Sequence, residues 1–283
     1  MYLAYWIVIF IKCAKLHMEN NFKLNDQEVN KMNDLLQPHI RCGIKDAAKY
    51  AILPGDPKRV ERIKEFLTNV HEIAFNREHK SISGYYKDVK VMAVSTGMGG
   101  ASTGIAVEEL HRLGVEAMIR IGSCGALDSK IQLGDLILVN GAVRDEGTSK
   151  AYVEEIYPAI PDFEVLLNTV LCAKENGYRF HIGKIRSHDS FYTDREEEID
   201  KYWSSKGILG ADMETAALFT IGGLRGVKTA SILNTVVTYK DDLSSQINSY
   251  VDGEKAVLEG EKNEIITALE AIVKMDNKQK IDN

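Results

Sequence analysis

Short apolar runs, several of them closed by a glycine-containing turn, alternate with amphipathic stretches along this chain. A strand covered on both faces reads as an unbroken apolar run, and a helix lying over it reads as a stripe at 3.6-residue spacing. The alternation therefore predicts an α/β fold: one domain of three layers (α/β/α) around a central mixed, mostly parallel sheet. Strands are predicted at Lys49–Leu53, Lys80–Tyr86, Val89–Ser95, Ala117–Ile121, Asp135–Val139, Ile182–Ser187 and Thr229–Leu233. Helices are predicted from Pro57 to about Leu67 and over Thr103–Leu113, Phe163–Asn176, Glu196–Lys206, Met213–Arg225 and Gly253–Lys274. The turn Gly122-Ser123-Cys124-Gly125 is expected to end the fourth strand, and the acidic final helix around Glu254 to Glu270 to present a solvated face.

No repeat, low-complexity tract or proline-rich linker divides the chain, so a single domain is expected over residues 18–283. Residues 1–17 contain the apolar run Tyr2–Ile11. That run falls short of the ~20 residues a membrane-spanning helix needs, and it lacks the flanks of a signal peptide. It is read as an extension outside the fold.

Charge narrows what the domain can bind. Lys and Arg number 35 against 41 Asp and Glu, a formal net charge of −6. Nucleic-acid and membrane-surface partners require a basic field, so neither is expected, and a small anion must be met locally by a few cations. Cys13, Cys42, Cys124 and Cys172 are scattered, with no C-x-x-C pair or neighbouring His. That disfavours a metal site or a disulfide scaffold and points to a reducing cytoplasm.

Three segments after predicted strands combine glycine with a cation or hydroxyl: Pro54-Gly55-Asp56-Pro57-Lys58-Arg59, Ser95-Thr96-Gly97-Met98-Gly99 and Arg120-Ile121-Gly122-Ser123. In α/β sheets ligands bind beyond the carboxyl ends of strands, where glycine lets backbone N–H groups approach an oxyanion. Arg120 stands inside an apolar run, and a guanidinium there is costly unless an anion or a structural carboxylate pairs with it. Both partners remain open. Gly97-x-Gly99 is no dinucleotide fingerprint, because Ser102 occupies the third glycine position. A second constellation, Gly210 to Ala217, sets Asp212 and Glu214 on either side of Met213 at a helix start. Carboxylates there suit the helix dipole; they also suit sugar hydroxyls, with the methionine as an apolar face for the ring.

Together Pro38-His39-Ile40, Pro54-Gly55-Asp56-Pro57-x-Arg59, Asn76-Arg77-Glu78, Ser95-Thr96-Gly97-Met98-Gly99, Arg120-Ile121-Gly122-Ser123-Cys124-Gly125, His188-Asp189-Ser190-Phe191-Tyr192 and Asp212-Met213-Glu214-Thr215-Ala216 resemble the nucleoside phosphorylase-I family, which contains uridine phosphorylases and hexameric purine nucleoside phosphorylases. The likeness runs from Pro38 to about Lys274. It implies reversible phosphorolysis of a nucleoside to free base and ribose 1-phosphate, with inorganic phosphate as co-substrate and no cofactor or metal. It assigns phosphate to Gly55, Arg59, Arg120 and Ser123, with Arg77 reaching in from a neighbouring copy. It assigns ribose to Met213 and Glu214, with His39 of a neighbouring copy near the 5′-hydroxyl, and the base to Phe191. Arg120 and Glu214 carry the catalysis in this assignment. Residues lent across an interface imply a homo-oligomer, with a dimer as the minimal active unit and a hexamer by resemblance.

Base choice rests on thinner signals. Purine-specific relatives place an aspartate after the last core strand, whereas Ile232 to Thr238 here contains no carboxylate. Uridine phosphorylases read uracil from the loop after the Phe-Tyr pair; the loop here is shorter and offers Arg195, either a base contact or a solvated residue at a helix start. The stretches Glu146–Lys150 and Tyr157–Asp162 look more like the uridine branch. Uridine is the expected substrate and a purine nucleoside the alternative. A phosphate-independent nucleosidase or a non-catalytic nucleoside binder would have no use for the full set of phosphate arginines and Glu214.

Overall fold

The computed structural model describes residues 35–239 and 255–282. The extension at residues 1–17 lies outside them, as do the first two residues of the last predicted helix. The described strands are β1 (Tyr50–Pro54), β2 (Thr68–Asn76), β3 (His79–Tyr86), β4 (Val89–Val94), β5 (Ala117–Ala126), β6 (Leu136–Asp145), β7 (Phe180–His188), β8 (Gly210–Asp212) and β9 (Lys228–Val237). The helices are α1 (Pro57–Lys64), α2 (Gly100–Arg112), α3 (Gly147–Lys150), α4 (Phe163–Glu175), α5 (Glu196–Ser205), α6 (Thr215–Leu224) and α7 (Lys255–Asp282).

The strands form one sheet in the order β2-β3-β4-β1-β5-β8-β7-β6-β9, and β5 also pairs with β9, so β5, β8, β7, β6 and β9 close on themselves. The central pairings β1–β4, β1–β5, β5–β9, β6–β7 and β7–β8 are parallel. Pairings β2–β3, β3–β4, β5–β8 and β6–β9 are antiparallel. Alternation along the strands divides the apolar residues between two layers. Ala51, Leu53 and Met118 pack with Ala106, Leu110 and Ile221 of α2 and α6. Tyr50, Ile52 and Ile119 pack on the other side with Val60 and Ile63 of α1, Val165 of α4 and Ile265 and Leu269 of α7. The α/β/α layering expected from the sequence is present.

Local chemistry sets the ends that matter. Pro57 occupies the first turn of α1, and the Asp56 side chain caps that helix by accepting from the Lys58 N–H at 2.8 Å. The β3–β4 hairpin turns through Lys87 and Asp88, both at positive φ, as a tight two-residue turn requires.

Three departures from the sequence expectation bear on function. β2 has no predicted counterpart, because its exposed edge position and two register shifts erase any alternation. β5 does not turn at Gly122; it continues to Ala126, held by parallel pairing of Gly122, Ser123 and Cys124 with Leu233, Asn234 and Thr235. The final helix is not merely a solvated face, since Glu261 and Glu264 are buried in it. Among the described residues no helix is long and apolar enough to cross a membrane. Cys42, Cys124 and Cys172 are free, buried thiols.

Candidate active site

β1 and β5 run side by side as far as Pro54 and Ile121, and beyond that point the Gly55 turn and the second half of β5 diverge. The Thr96–Gly99 loop packs against the same turn, with Thr96 N–H donating to Pro54 C=O and Gly97 N–H to Gly55 C=O. Arg120 lies where these segments meet, 4 % exposed. It folds back along its own strand. A Cβ on Gly122 would stand 2.4 Å from Arg120 Nη2, so only glycine leaves room for this rotamer.

Two carboxylates clamp the guanidinium. Arg120 Nε donates to Asp212 Oδ2 at 3.0 Å, and Nη2 donates to Glu214 Oε2 at 2.5 Å. Burial works against the arginine's charge, but Glu214 and Asp212 outweigh it and raise its pKa. The third nitrogen, Nη1, is buried and has no hydrogen-bond partner among the described residues. It lies toward the first turn, 4.0 Å from where a Cβ on Gly55 would be.

Asp212 is saturated. Its Oδ2 also accepts from Thr215 N–H at 3.0 Å and Thr215 Oγ1 at 2.6 Å, while Oδ1 accepts from Ser187 Oγ at 2.6 Å. Glu214 stands between the glycine loop and Arg120: its Oε1 accepts from Gly99 N–H at 2.6 Å, and its Oε2 from Arg120 and, at 3.3 Å, from Met213 N–H. Burial, with Asp212 nearby, raises the Glu214 carboxyl above the ordinary value against the opposing pull of Arg120. Met213, half-buried, separates the two carboxylates in the chain.

Arg59 approaches from α1, buried, with Nη2 donating to Ser123 Oγ at 3.0 Å. Its other faces meet the C-terminal helix: Glu261 Oε2 is 3.0 Å from Nε, and Glu264 Oε1 is 3.4 Å from Nη1. The structure thus gathers Gly55, Arg59, Arg120, Ser123, Met213 and Glu214 at one place. A crevice with two buried guanidinium groups, a serine hydroxyl and a glycine turn can hold an oxyanion, and the adjoining carboxylate can accept from hydroxyl groups. Cys124 beside it is no nucleophile, because burial pushes its thiol up to about 12.

The remaining predicted site residues lie elsewhere in the chain. Arg77 is exposed on the β2–β3 turn, with no hydrogen bond or ion pair among the described residues. His39 is tied to the same turn by Asn76 Nδ2, which donates to its carbonyl at 2.8 Å. Its ring Nδ1 is 2.7 Å from Glu109 Oε1. Phe191 is exposed and meets Tyr192 edge-on at 4.9 Å. Arg195 lies on the solvated start of α5, its side chain 68 % exposed and paired with Glu198 at 2.9 Å. Among the described residues no contact brings Arg195 to the crevice.

The match to known proteins covers most of this arrangement, from Gly55 to Glu261. The model of the family described as Phosphorylase superfamily matches residues 49–263. The chain belongs to that superfamily. Among superfamily members, the uridine phosphorylase of Thermococcus kodakarensis is 41 % identical over 209 residues, spanning 70 % of this chain and 76 % of that protein. The guanosine phosphorylase of Halorubrum lacusprofundi is 39 % identical over 196 residues, spanning 69 % and 81 %. The crystal structure of uridine phosphorylase from Vibrio fischeri ES114 superposes with a TM-score of 0.79 at 48 % identity, covering 84 % of this chain and 98 % of that one.

Within this superfamily member, sequence reasoning did not assign Asp212, Glu261 or Glu264 to the site. Asp212 was visible in the Asp-Met-Glu triplet, but nothing in the sequence reveals that Arg120 reaches both carboxylates. The two glutamates did leave a signal. They continue the stripe that Val257, Ile265, Ala268 and Ile272 bury, and a carboxylate on a core stripe needs a buried cation.

Proposed function

We propose that this chain catalyses the reversible phosphorolysis of a nucleoside, with uridine as the favoured substrate. The observation that carries the reading is Arg120, whose Nη1 is buried beside the Gly55 turn with no hydrogen-bond partner among the described residues, while Asp212 and Glu214 fix the rest of the guanidinium. A phosphate oxygen attacks C1′ of the ribose as the N-glycosidic bond breaks, and the bonding pair leaves on the base. Positive charge grows on the sugar ring in between. Arg59, Arg120 and Ser123 hold the dianion below the ring, and Glu214 orients the sugar through its hydroxyls, so binding energy is used to align the reacting atoms. Phosphate is the second substrate, and the reaction balances with no other.

The uridine phosphorylases among the relatives support uracil as the leaving base. So does the absence of a carboxylate from Ile232 to Thr238. The guanosine phosphorylase relative supports a purine nucleoside as the second reading. The test is incubation with uridine, inosine and adenosine, with and without phosphate, following free base and ribose 1-phosphate. Phosphate-dependent release fastest from uridine is expected. Release independent of phosphate would overturn phosphorolysis, and release confined to purines would select the second reading.

The same reading makes the active unit a dimer or larger, with Arg77 and His39 lent to a neighbouring copy. Their shared location supports it: the Asn76–His39 hydrogen bond ties both to one surface, where Phe75 is 65 % exposed. Sedimentation at assay concentration is expected to show no monomer, and an active monomer would contradict the assignment. The free buried thiols support a cytoplasmic location.

A further inference from the structure

We propose that Glu264, on the C-terminal helix behind the crevice, is a positioning residue for phosphate: it holds the Gly122 backbone and the Arg59 guanidinium where the anion needs them. The proposal rests on the phosphorolysis reading above. Glu264 is fully buried, its Oε2 accepting from Gly122 N–H at 3.1 Å. Its Oε1 is 3.4 Å from Arg59 Nη1 and has no hydrogen-bond partner among the described residues. Glu261, one turn earlier, takes the Nε side of Arg59 and also pairs with Arg62. Arg59 is therefore gripped from behind at two nitrogens, and its Nη2 is presented to Ser123.

Burial alone would make such a carboxyl a liability on a helix face otherwise buried as Ile265, Ala268 and Ile272. Its two contacts go instead to the residues framing the crevice. Gly122 is the position whose lack of a side chain lets Arg120 fold back, so one carboxyl braces both arginine arms. Burial pushes Glu264 up to about 8; Arg59 on α1 and Arg120 on β5 pull it down, and Glu261 on its own helix pushes it up further. A carboxyl raised this way is protonated over more of the neutral range than an ordinary glutamate, so it takes up less of the Arg59 charge that the phosphate needs. Above that value it ionises beside Arg59 and competes with the dianion. Phosphate affinity should then fall as pH rises, by linkage.

The test is steady-state kinetics on the full chain with Glu264→Ala and Glu264→Gln. Glu264→Ala is expected to raise KM for phosphate about tenfold, the size of one hydrogen bond, while KM for the nucleoside moves less than about twofold. Glu264→Gln keeps an oxygen for Gly122 N–H and carries no charge, so it is expected to restore most of that loss. It should also flatten the rise in phosphate KM that the wild type shows between about pH 7 and 9. Unchanged phosphate KM in Glu264→Ala, or both KM values rising together, overturns the proposal. If Glu264→Ala does not fold, the wild type and Glu264→Gln decide: identical pH profiles overturn it. Should the wild type turn over no nucleoside, phosphorolysis itself fails. Calorimetric titration with inorganic phosphate then applies the same comparison to binding alone, and a wild type that binds no phosphate overturns both.

Discussion

Arg120→Ala is expected to lower turnover by ~10²–10³, the loss typical of removing one preorganised group that stabilises transition-state charge. The geometry gives a reason to expect the upper part of that range. Arg120 links both halves of the site, with Nε and Nη2 on Asp212 and Glu214 and Nη1 toward the Gly55 turn. On the proposed reaction its removal takes a cation from the phosphate and frees the carboxylate assigned to the sugar in one step. It also leaves two buried carboxylates without their cation, and breaking such a pair costs about 3–5 kcal/mol of stability. Activity must therefore be measured well below the variant's melting temperature. The sign of the pH effect separates the two consequences. Without Arg120, the Glu214 pKa rises further, so the folded form binds more protons than the unfolded one and the variant's stability falls as pH rises from the ordinary carboxylate range. The loss of turnover should persist where the stability loss is least. Arg120→Lys should rescue little, because a single ammonium cannot bridge Asp212 and Glu214 as the planar guanidinium does. Wild-type turnover in either variant would overturn the role given to Arg120.

Arg120 was legible in the sequence because a cation inside an apolar run has few bland explanations. Of the two partners left open for it, carboxylates are present, Asp212 on Nε and Glu214 on Nη2. The layers were legible for a similar reason, since β1, β4 and β5 are buried on both faces and read as apolar runs. β5 misled at Gly122 to Gly125, where two glycines and a serine have turn composition but β9 alongside supplies a full ladder. Composition reports the local preference of a segment; only the partner strand decides whether it is overridden. The C-terminal helix misled differently. Acidic residues on a helix usually face water, and the buried Glu261 and Glu264 become explicable only once Arg59, some two hundred positions earlier in the chain, is seen against them. The net charge of −6 acquires a local meaning here. The arginines of the crevice are each matched by buried carboxylates, so on the proposed reaction an acidic protein would meet its anion with guanidinium groups already held in place.

Glu214→Gln should be nearly as damaging as Glu214→Ala, with turnover lower by ~10²–10³ in both. The amide is close to isosteric with the carboxylate, and at many positions that substitution is mild. At Glu214 both oxygens accept: Oε1 from Gly99 N–H at 2.6 Å, Oε2 from Arg120 Nη2 at 2.5 Å. A glutamine has one oxygen and one NH₂, so whichever way it turns, a donor meets a donor. Either the glycine loop or Arg120 must move, and each carries part of the crevice. Glu264 offers the contrast within the same site. Only Oε2 accepts a hydrogen bond there, and Oε1 faces Arg59 Nη1 at a looser 3.4 Å, so the amide keeps its oxygen on Gly122 N–H and turns its NH₂ toward Arg59 without losing a formed hydrogen bond. The two glutamine variants should thus diverge, with a large loss in kcat at Glu214 and a small change confined to phosphate KM at Glu264. Substrate truncation sharpens the test. If Glu214 acts by accepting from the 2′-hydroxyl of the sugar, the loss on Glu214→Ala should be smaller with a 2′-deoxynucleoside than with the ribonucleoside, because the wild type has already forfeited that hydrogen bond. Equal losses on both sugars would remove the 2′-hydroxyl from its role and leave Glu214 acting through the 3′-hydroxyl, Arg120 and the glycine loop.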